Sequence, residues 1–255
     1  MTRPARVDWG GETLELRPER AALLPRHGTL LVADAHLGKA RAFRQQGVPV
    51  PGGTTRETLE RLDALVQATA AEHVVFLGDL LHSRHVQGSS ALAEFAAWRT
   101  ARAALALTLV RGNHDARAGD PPEALGITVV TEPFALGELA LCHHPDPRHR
   151  SRGGFDPRAD PPATGRARVA GHVHPCFGLH GRTDSLRLPC FHLGERVAVL
   201  PAFGAFTGMH PVRREPGDRV WVIADDAVIE VPAGREGVRS SDLTPHPNSG
   251  SGLKT

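Results

Sequence analysis

Apolar residues fall into two rhythms along this chain. Uninterrupted apolar runs from Thr29 to Asp34, His73 to Leu77 and Leu105 to Val110 each end in a polar or glycine-bearing turn. That is the pattern of strands buried on both faces. Between them, Leu59, Leu62, Leu65 and Val66 recur at helical spacing after Thr55, with Glu57 near the start, so a helix is expected there. Leu92, Phe95 and Ala96 mark a second helix across 89–104, and the Gly- and Pro-rich stretch from Gly47 to Thr55 reads as a loop. Within 11–35, Glu12 to Leu16 alternates polar and apolar, as a half-buried strand does. Further strands are expected at 126–131, 136–143, 167–171, 186–200 and 219–231. Strand and helix thus alternate in the first half, and strands dominate the second. This predicts an α/β fold with mixed sheets stacked as a sandwich and helices outside. Residues 1–232 read as one domain. From Ala233 to residue 255, Gly, Ser, Pro and charge prevail without periodicity, so a disordered tail is expected.

Composition narrows the class. With 255 residues, 40% hydrophobic and 23% charged, the chain can bury a substantial core and is neither collagen-like nor wholly disordered. No apolar run approaches the roughly 20 residues of a membrane helix, and Met1 to Arg6 leads into charged sequence. A cytoplasmic protein without a membrane partner is expected. Of the 30 cationic residues only Lys39 and Lys254 are lysines, and tyrosine is absent. Arginine bias of this kind reflects GC-rich coding, so arginine content does not argue for nucleic-acid binding. Cys142, Cys176 and Cys190 fit neither a disulfide framework nor a zinc ribbon, and are expected to be small core residues. The 15 histidines are numerous and clustered.

Five segments carry metal-type ligands beyond the ends of apolar strands: Asp34-Ala35-His36, Gly78-Asp79, Gly112-Asn113-His114-Asp115, His143-His144 and Gly171-His172-Val173-His174. In α/β sheets the loops past the strand C-termini gather along one edge, where functional groups collect. Residues i and i+2 on an extended segment face the same side, so the Asp-x-His and His-x-His pairs are each expected to reach one pocket. Glycine before Asp79, Asn113 and His172 is expected to permit tight turns and the close approach of a phosphate. Oxygen and imidazole donors without thiolate suit manganese, iron or zinc.

Together these segments resemble the signature of the calcineurin-like metallophosphoesterase superfamily, across about residues 29 to 176. The resemblance implies a four-layer α/β/β/α sandwich with a two-metal site at the strand ends. Asp34, His36 and His174 would hold the first ion, and Asp79 would bridge both. Asn113, His143 and His172 would hold the second, with His144 the fallback for His143. His114 would stand beside the scissile phosphate as general acid or electrostatic partner. Asp115 would orient His114 or cap the segment that follows, the structural role being preferred. Where many such phosphatases place an aspartate three residues after Gly-Asp, this chain has His82, which puts a simple Asp–His dyad in doubt. That variant is similar to repair nucleases of the SbcD type.

A narrower resemblance rests on Ala33 to Lys39, Gly47 to Gly52, Phe76 to Arg84, Leu188 to Phe191 and Leu200 to Gly208. These look like the ligase-associated DNA-damage-response phosphoesterases of the PdeM family. That likeness implies a manganese-dependent DNA endonuclease or phosphodiesterase working beside a DNA ligase and a helicase. Two divalent ions are expected, manganese first, with iron or zinc also suited to the donors. Arg148, Arg150 and Arg152, just past His143, are candidate phosphate contacts, as are Lys39 and Arg84; a solvated charged loop is the alternative for the arginine trio. Phe95, Trp98, Phe203 and Phe206 are expected to pack rather than line the cleft. The competing functions are a small-molecule phosphodiesterase or phosphomonoesterase with the same metals, and a weakly catalytic repair scaffold. Oligomeric state is left open.

Overall fold

Two mixed β-sheets lie face to face in the computed structural model, which describes residues 2–146, 165–180 and 185–233. The first sheet contains, in spatial as in chain order, β1 (Ala5–Trp9), β2 (Glu12–Arg17), β3 (Ala21–Leu24), β4 (Thr29–Val32), β5 (His73–Phe76), β6 (Ala106–Val110) and β7 (Thr128–Val130). Strands β1 to β4 pair antiparallel, and β4 to β7 pair parallel. The second sheet comprises β8 (Phe134–Leu136), β9 (Leu139–Leu141), β10 (Ala167–Ala170), β11 (Pro175–His180), β12 (Ser185–Leu193), β13 (Val197–Val199), β14 (His210–Pro211), β15 (Arg219–Ala224) and β16 (Ala227–Glu230). At its centre β9, β10 and β13 run parallel.

Four α-helices occur among the described residues: α1 (Lys39–Gln45), α2 (Thr54–Thr69), α3 (Ser90–Ala101) and α4 (Asn113–Ala118). Alternate residues of the central strands divide between two cores. Leu30, Val32, Val74, Phe76, Leu107 and Leu109 pack with Leu59, Leu62, Leu65 and Val66 of α2 and Phe95 of α3. Their neighbours Leu31, Ala33, Val75, Leu77 and Val110 meet Leu139, Leu141, Val169, Phe191, Ala198 and Leu200 of the second sheet. This double burial is why those strands read as continuous apolar runs. The expected α/β sandwich is therefore observed, and among the described residues all its α-helices precede residue 119. Cys142, Cys176 and Cys190 are buried and free, as expected. No helix among the described residues is long and apolar enough to cross a membrane.

The elements that escaped the pattern are short. Strands β1 and β3, helix α1 and strands β11 and β14 had no expected counterpart of their own, and α4 begins inside the segment read as a polar turn. Apart from Ala233, the expected tail lies outside the described residues.

Phe95 is fully buried between helix and sheet, whereas Leu186 is 56% exposed. Phe95→Ala is expected to lower unfolding free energy by about 3–5 kcal/mol. Leu186→Ala should change it by no more than about 0.5 kcal/mol. Urea denaturation measures both.

Candidate metal centre

Strands β4, β5 and β6 of one sheet and β9 and β10 of the other end along a shared rim. The loops leaving them bond to one another. Asp34 N–H donates to the Gly78 carbonyl (3.3 Å), His36 N–H to that of Asp79 (2.9 Å), and Gly171 N–H to that of His143 (3.2 Å). The chain after β13 closes over the same place, with Phe203 N–H donating to Ala33 (2.8 Å) and Gly204 N–H to Asp34 (3.2 Å). Helix α2 braces that segment: Thr58 Oγ1 accepts from Ala205 N–H (3.1 Å), and the Arg61 guanidinium donates to the Phe203 carbonyl.

Seven expected donors converge there in two adjoining groups. In the first, His36 Nε2 lies 3.3 Å from His174 Nε2, and Asp34 Oδ1 lies 3.5 Å from His174 Nε2. In the second, His143 Nε2 is 3.0 Å from Asn113 Oδ1 and 3.0 Å from His172 Nδ1. The Asp79 carboxylate spans them, with Oδ2 3.8 Å from His36 Nε2 and Oδ1 3.4 Å from His143 Nε2.

The backbone achieves this in an unexpected way. Asp34, His36, Asp79, His172 and His174 all have positive φ, between 45° and 72°. The Asp-x-His and His-x-His segments are therefore not extended, because they leave the strands before the ligand pairs begin. Both members of each pair still reach the pocket, from left-handed conformations that cost non-glycine residues on the order of 1–3 kcal/mol each. The preceding glycines also serve differently from expectation. A Cβ at Gly78 would overlap the His143 ring, one at Gly112 the Asp79 carboxylate, and one at Gly171 the Asp34 carboxylate. The space is taken by neighbouring donors, and of the three only Gly78 needs a positive φ.

Backbone carbonyls select which imidazole nitrogens face the pocket. His143 Nδ1–H donates to the Leu77 carbonyl (2.9 Å), His174 Nδ1–H to Gly208 (3.2 Å) and His114 Nδ1–H to His82 (2.8 Å). In neutral rings so held, Nε2 keeps its lone pair. Asp34 is fully buried; its Oδ2 accepts from His172 N–H (2.8 Å), while its Oδ1 has no hydrogen-bond partner. A buried carboxylate oxygen left this way is expensive unless a cation meets it. The donor set therefore fits divalent ions.

The electrostatics follow from the crowding. Burial raises the Asp34 pKa, but the adjacent His174, His143 and His36 imidazoles outweigh that and hold it below the usual carboxylate range. Burial and the charge of Asp34 push Asp79 up. Burial drives His36 down to about 2. Lys39 is lowered by burial, against the pull of Asp34 and Asp79, which places its ammonium within their field.

His114 sits at the rim, its Nε2 4.0 Å from Asp79 Oδ2. His82 stacks on it, with centroids 4.9 Å apart and planes at 22°. Asp115 does not reach the His114 ring. Its Oδ1 accepts from Leu81 N–H (2.9 Å) and its Oδ2 from Gly112 N–H (3.0 Å), closing the start of α4. Arg84 is exposed on the turn that follows. Arg148, Arg150 and Arg152 lie outside the described residues. Phe203 is fully buried and packs as expected, whereas Phe206 is half-buried, joins no core cluster and meets Phe43 edge to face.

Glu132 had no motif to reveal it. Its Oε2 accepts from both His143 N–H (2.8 Å) and His144 N–H (2.9 Å), and its Oε1 bonds His144 Nδ1 (2.7 Å). It thus aims the His143–His144 backbone and engages the fallback histidine, while His143 supplies the inward Nε2.

The family profile described as calcineurin-like phosphoesterase matches residues 29–194. No curated protein sequence gives a significant match. Among solved structures, the Pseudomonas putida nuclease MPE is 38% identical, covers 90% of this chain and 100% of its own, and superposes with a TM-score of 0.74. Yfce, a phosphoesterase from E. coli, is 17% identical over 80% of this chain and 97% of its own, with a TM-score of 0.41, too low to carry an argument.

Burial raises the Glu132 pKa, but the bonds from His144 and His143 overcome it, taking it from 4.5 down to about 2. The stability it lends is present above 4.5 and is lost as pH falls through about 2. Glu132→Gln should therefore destabilise the protein by about 1–3 kcal/mol at pH 7. The difference from wild type should narrow as thermal melts are repeated from pH 5 downward.

Proposed function

Because this chain belongs to the calcineurin-like phosphoesterase family, we propose that its donor cluster hydrolyses phosphodiester bonds of DNA. The observation that carries the reading is the convergence of Asp34, His36, Asp79, Asn113, His143, His172 and His174, with the His143 and His174 lone pairs turned inward by backbone carbonyls. A nucleic-acid substrate is supported by the likeness to a nuclease across nearly the whole chain, and DNA by the sequence segments that resemble the PdeM family.

Asp34, His36 and His174 would hold one divalent ion, Asn113, His143 and His172 the other, and Asp79 both. When bound, the pair supplies charge that neutralises phosphoryl oxygens and acidifies a water to serve as nucleophile. The donors contain oxygen and nitrogen only, which suits manganese and also iron or zinc. The chain's own contribution lies in positioning and proton transfer. His114 Nδ1–H is committed to the His82 carbonyl, so Nε2 is the nitrogen available at the cleft. A proton there would pass to the departing oxygen, and the imidazole suits that transfer near neutral pH. His82 replaces the carboxylate of a simple dyad: its backbone oxygen orients His114, and its ring backs the His114 ring. Burial holds the His82 ring at about 4, so it packs there uncharged. Lys39, in the field of Asp34 and Asp79, would meet the non-bridging phosphate oxygens. Work beside a DNA ligase and a helicase completes the proposal and rests on the likeness of the sequence segments.

Metal content by mass spectrometry and cleavage of a single-stranded oligonucleotide with Mn²⁺ test these roles together. Asp79→Ala should lose both metal loading and activity. His114→Ala should keep its metals and turn over about 10²–10⁴ times more slowly; equal metal loss in the two variants would overturn the role given to His114. Affinity for DNA should fall steeply with salt if several phosphates are contacted. A flat salt response together with rapid hydrolysis of a small diester would instead favour a small-molecule phosphodiesterase.

A further inference from the structure

We propose that Phe43 and Phe206 form a ledge on which a nucleobase next to the scissile phosphate stacks. The inference rests on the phosphodiesterase reading above and names a substrate feature that the metal-type donors leave open.

Five other phenylalanines, Phe76, Phe95, Phe177, Phe191 and Phe203, are almost wholly buried. Phe43 and Phe206 are half-buried, and neither joins any of the three core clusters. They contact each other edge to face, with centroids 5.7 Å apart and planes at 85°. Phe43 also lies 6.2 Å from the His82 ring, which stacks on His114. The ledge therefore begins two ring contacts from the imidazole at the proposed reacting bond.

Both rings are mounted on segments that build the centre. Phe43 belongs to α1, the helix that directly follows the Asp34–His36 loop. Phe206 lies between Gly204, whose N–H bonds the Asp34 carbonyl, and Gly208, whose carbonyl holds His174. Two sequence segments without metal-type donors adjoin these rings: Leu200 to Gly208 carries Phe206, and Gly47 to Gly52 is tied to the Phe43 backbone. Val48 N–H donates to the Phe43 carbonyl (3.1 Å), and Val48 and Met209 are 42% and 47% exposed, two of the four large apolar side chains left open to solvent among the described residues. The same short helix carries Lys39 one turn before Phe43. Apolar rings beside a cationic side chain match a nucleotide, with base on ring and phosphate on cation. A base stacked within a duplex has no face to offer, so the ledge fits a single strand.

Thymidine 5′-p-nitrophenyl phosphate, thymidine 3′-p-nitrophenyl phosphate and methyl p-nitrophenyl phosphate share a leaving group and differ in the base. Wild-type protein with Mn²⁺ should favour at least one thymidine ester over the methyl ester by about tenfold in kcat/KM. The double variant Phe43→Leu, Phe206→Leu should lose that preference, mainly through KM, whereas Phe43→Tyr should keep it. If melting shows that the double variant does not fold, Phe206→Leu alone is read the same way. No thymidine preference in wild type, an undiminished preference in the leucine variants, or a Phe43→Tyr variant that loses it equally would each overturn the ledge. Failure to hydrolyse any of the three esters would overturn the phosphodiesterase reading itself, and the ledge with it.

Discussion

The molecule is organised around mutual repulsion. Two buried carboxylates and a set of inward-facing imidazole nitrogens crowd one rim within 3.0 to 4.0 Å of each other. Lone pairs brought this close in a poorly hydrated site raise the energy of the folded chain unless positive charge lies among them. Asp34 Oδ1, buried without a hydrogen-bond partner, is the sharpest instance. Much of the surrounding structure serves to hold this arrangement against its tendency to spread.

The restraint comes from the two sheets. The loops leaving β4, β5 and β6 start at strands whose alternate residues fill two cores, so their bases cannot shift without disturbing both, and those leaving β9 and β10 start at strands packed in the core between the sheets. Hydrogen bonds between the loops then fasten them together, and α2 braces the closing segment through Thr58 and Arg61. Left-handed conformations at five donor residues are tolerated only because this network over-determines them. Backbone strain and charge repulsion are thus concentrated at one rim, and packing elsewhere offsets both.

Orientation of the rings is settled by groups that carry no chemistry themselves. Carbonyls of Leu77, Gly208 and His82 each take an Nδ1 proton and thereby turn an Nε2 inward. Glu132 does comparable work on the backbone, anchoring two successive N–H groups beside His143. Asp115 ties the start of α4 to the loop after Asp79, which keeps the His114 and His82 rings in register.

The central strands, α2 and the seven donors could be read from the linear order of residues, because burial on two faces forces continuous apolar runs and because oxygen and imidazole donors recur where those runs stop. Short elements such as β3 and α1 left no periodic trace, since four to seven residues hold too few turns or alternations to stand out. Glu132, the three carbonyls and the Phe43–Phe206 contact were equally silent. The extended geometry expected for the paired ligands failed for a related reason: local spacing speaks only to residues still inside a strand. The sequence alone thus determined which side chains are available to bind ions and in what order they arrive at the rim. Tertiary structure alone decided how they point, because ring tautomer, left-handed backbone and second-neighbour anchors depend on contacts between segments far apart in the chain.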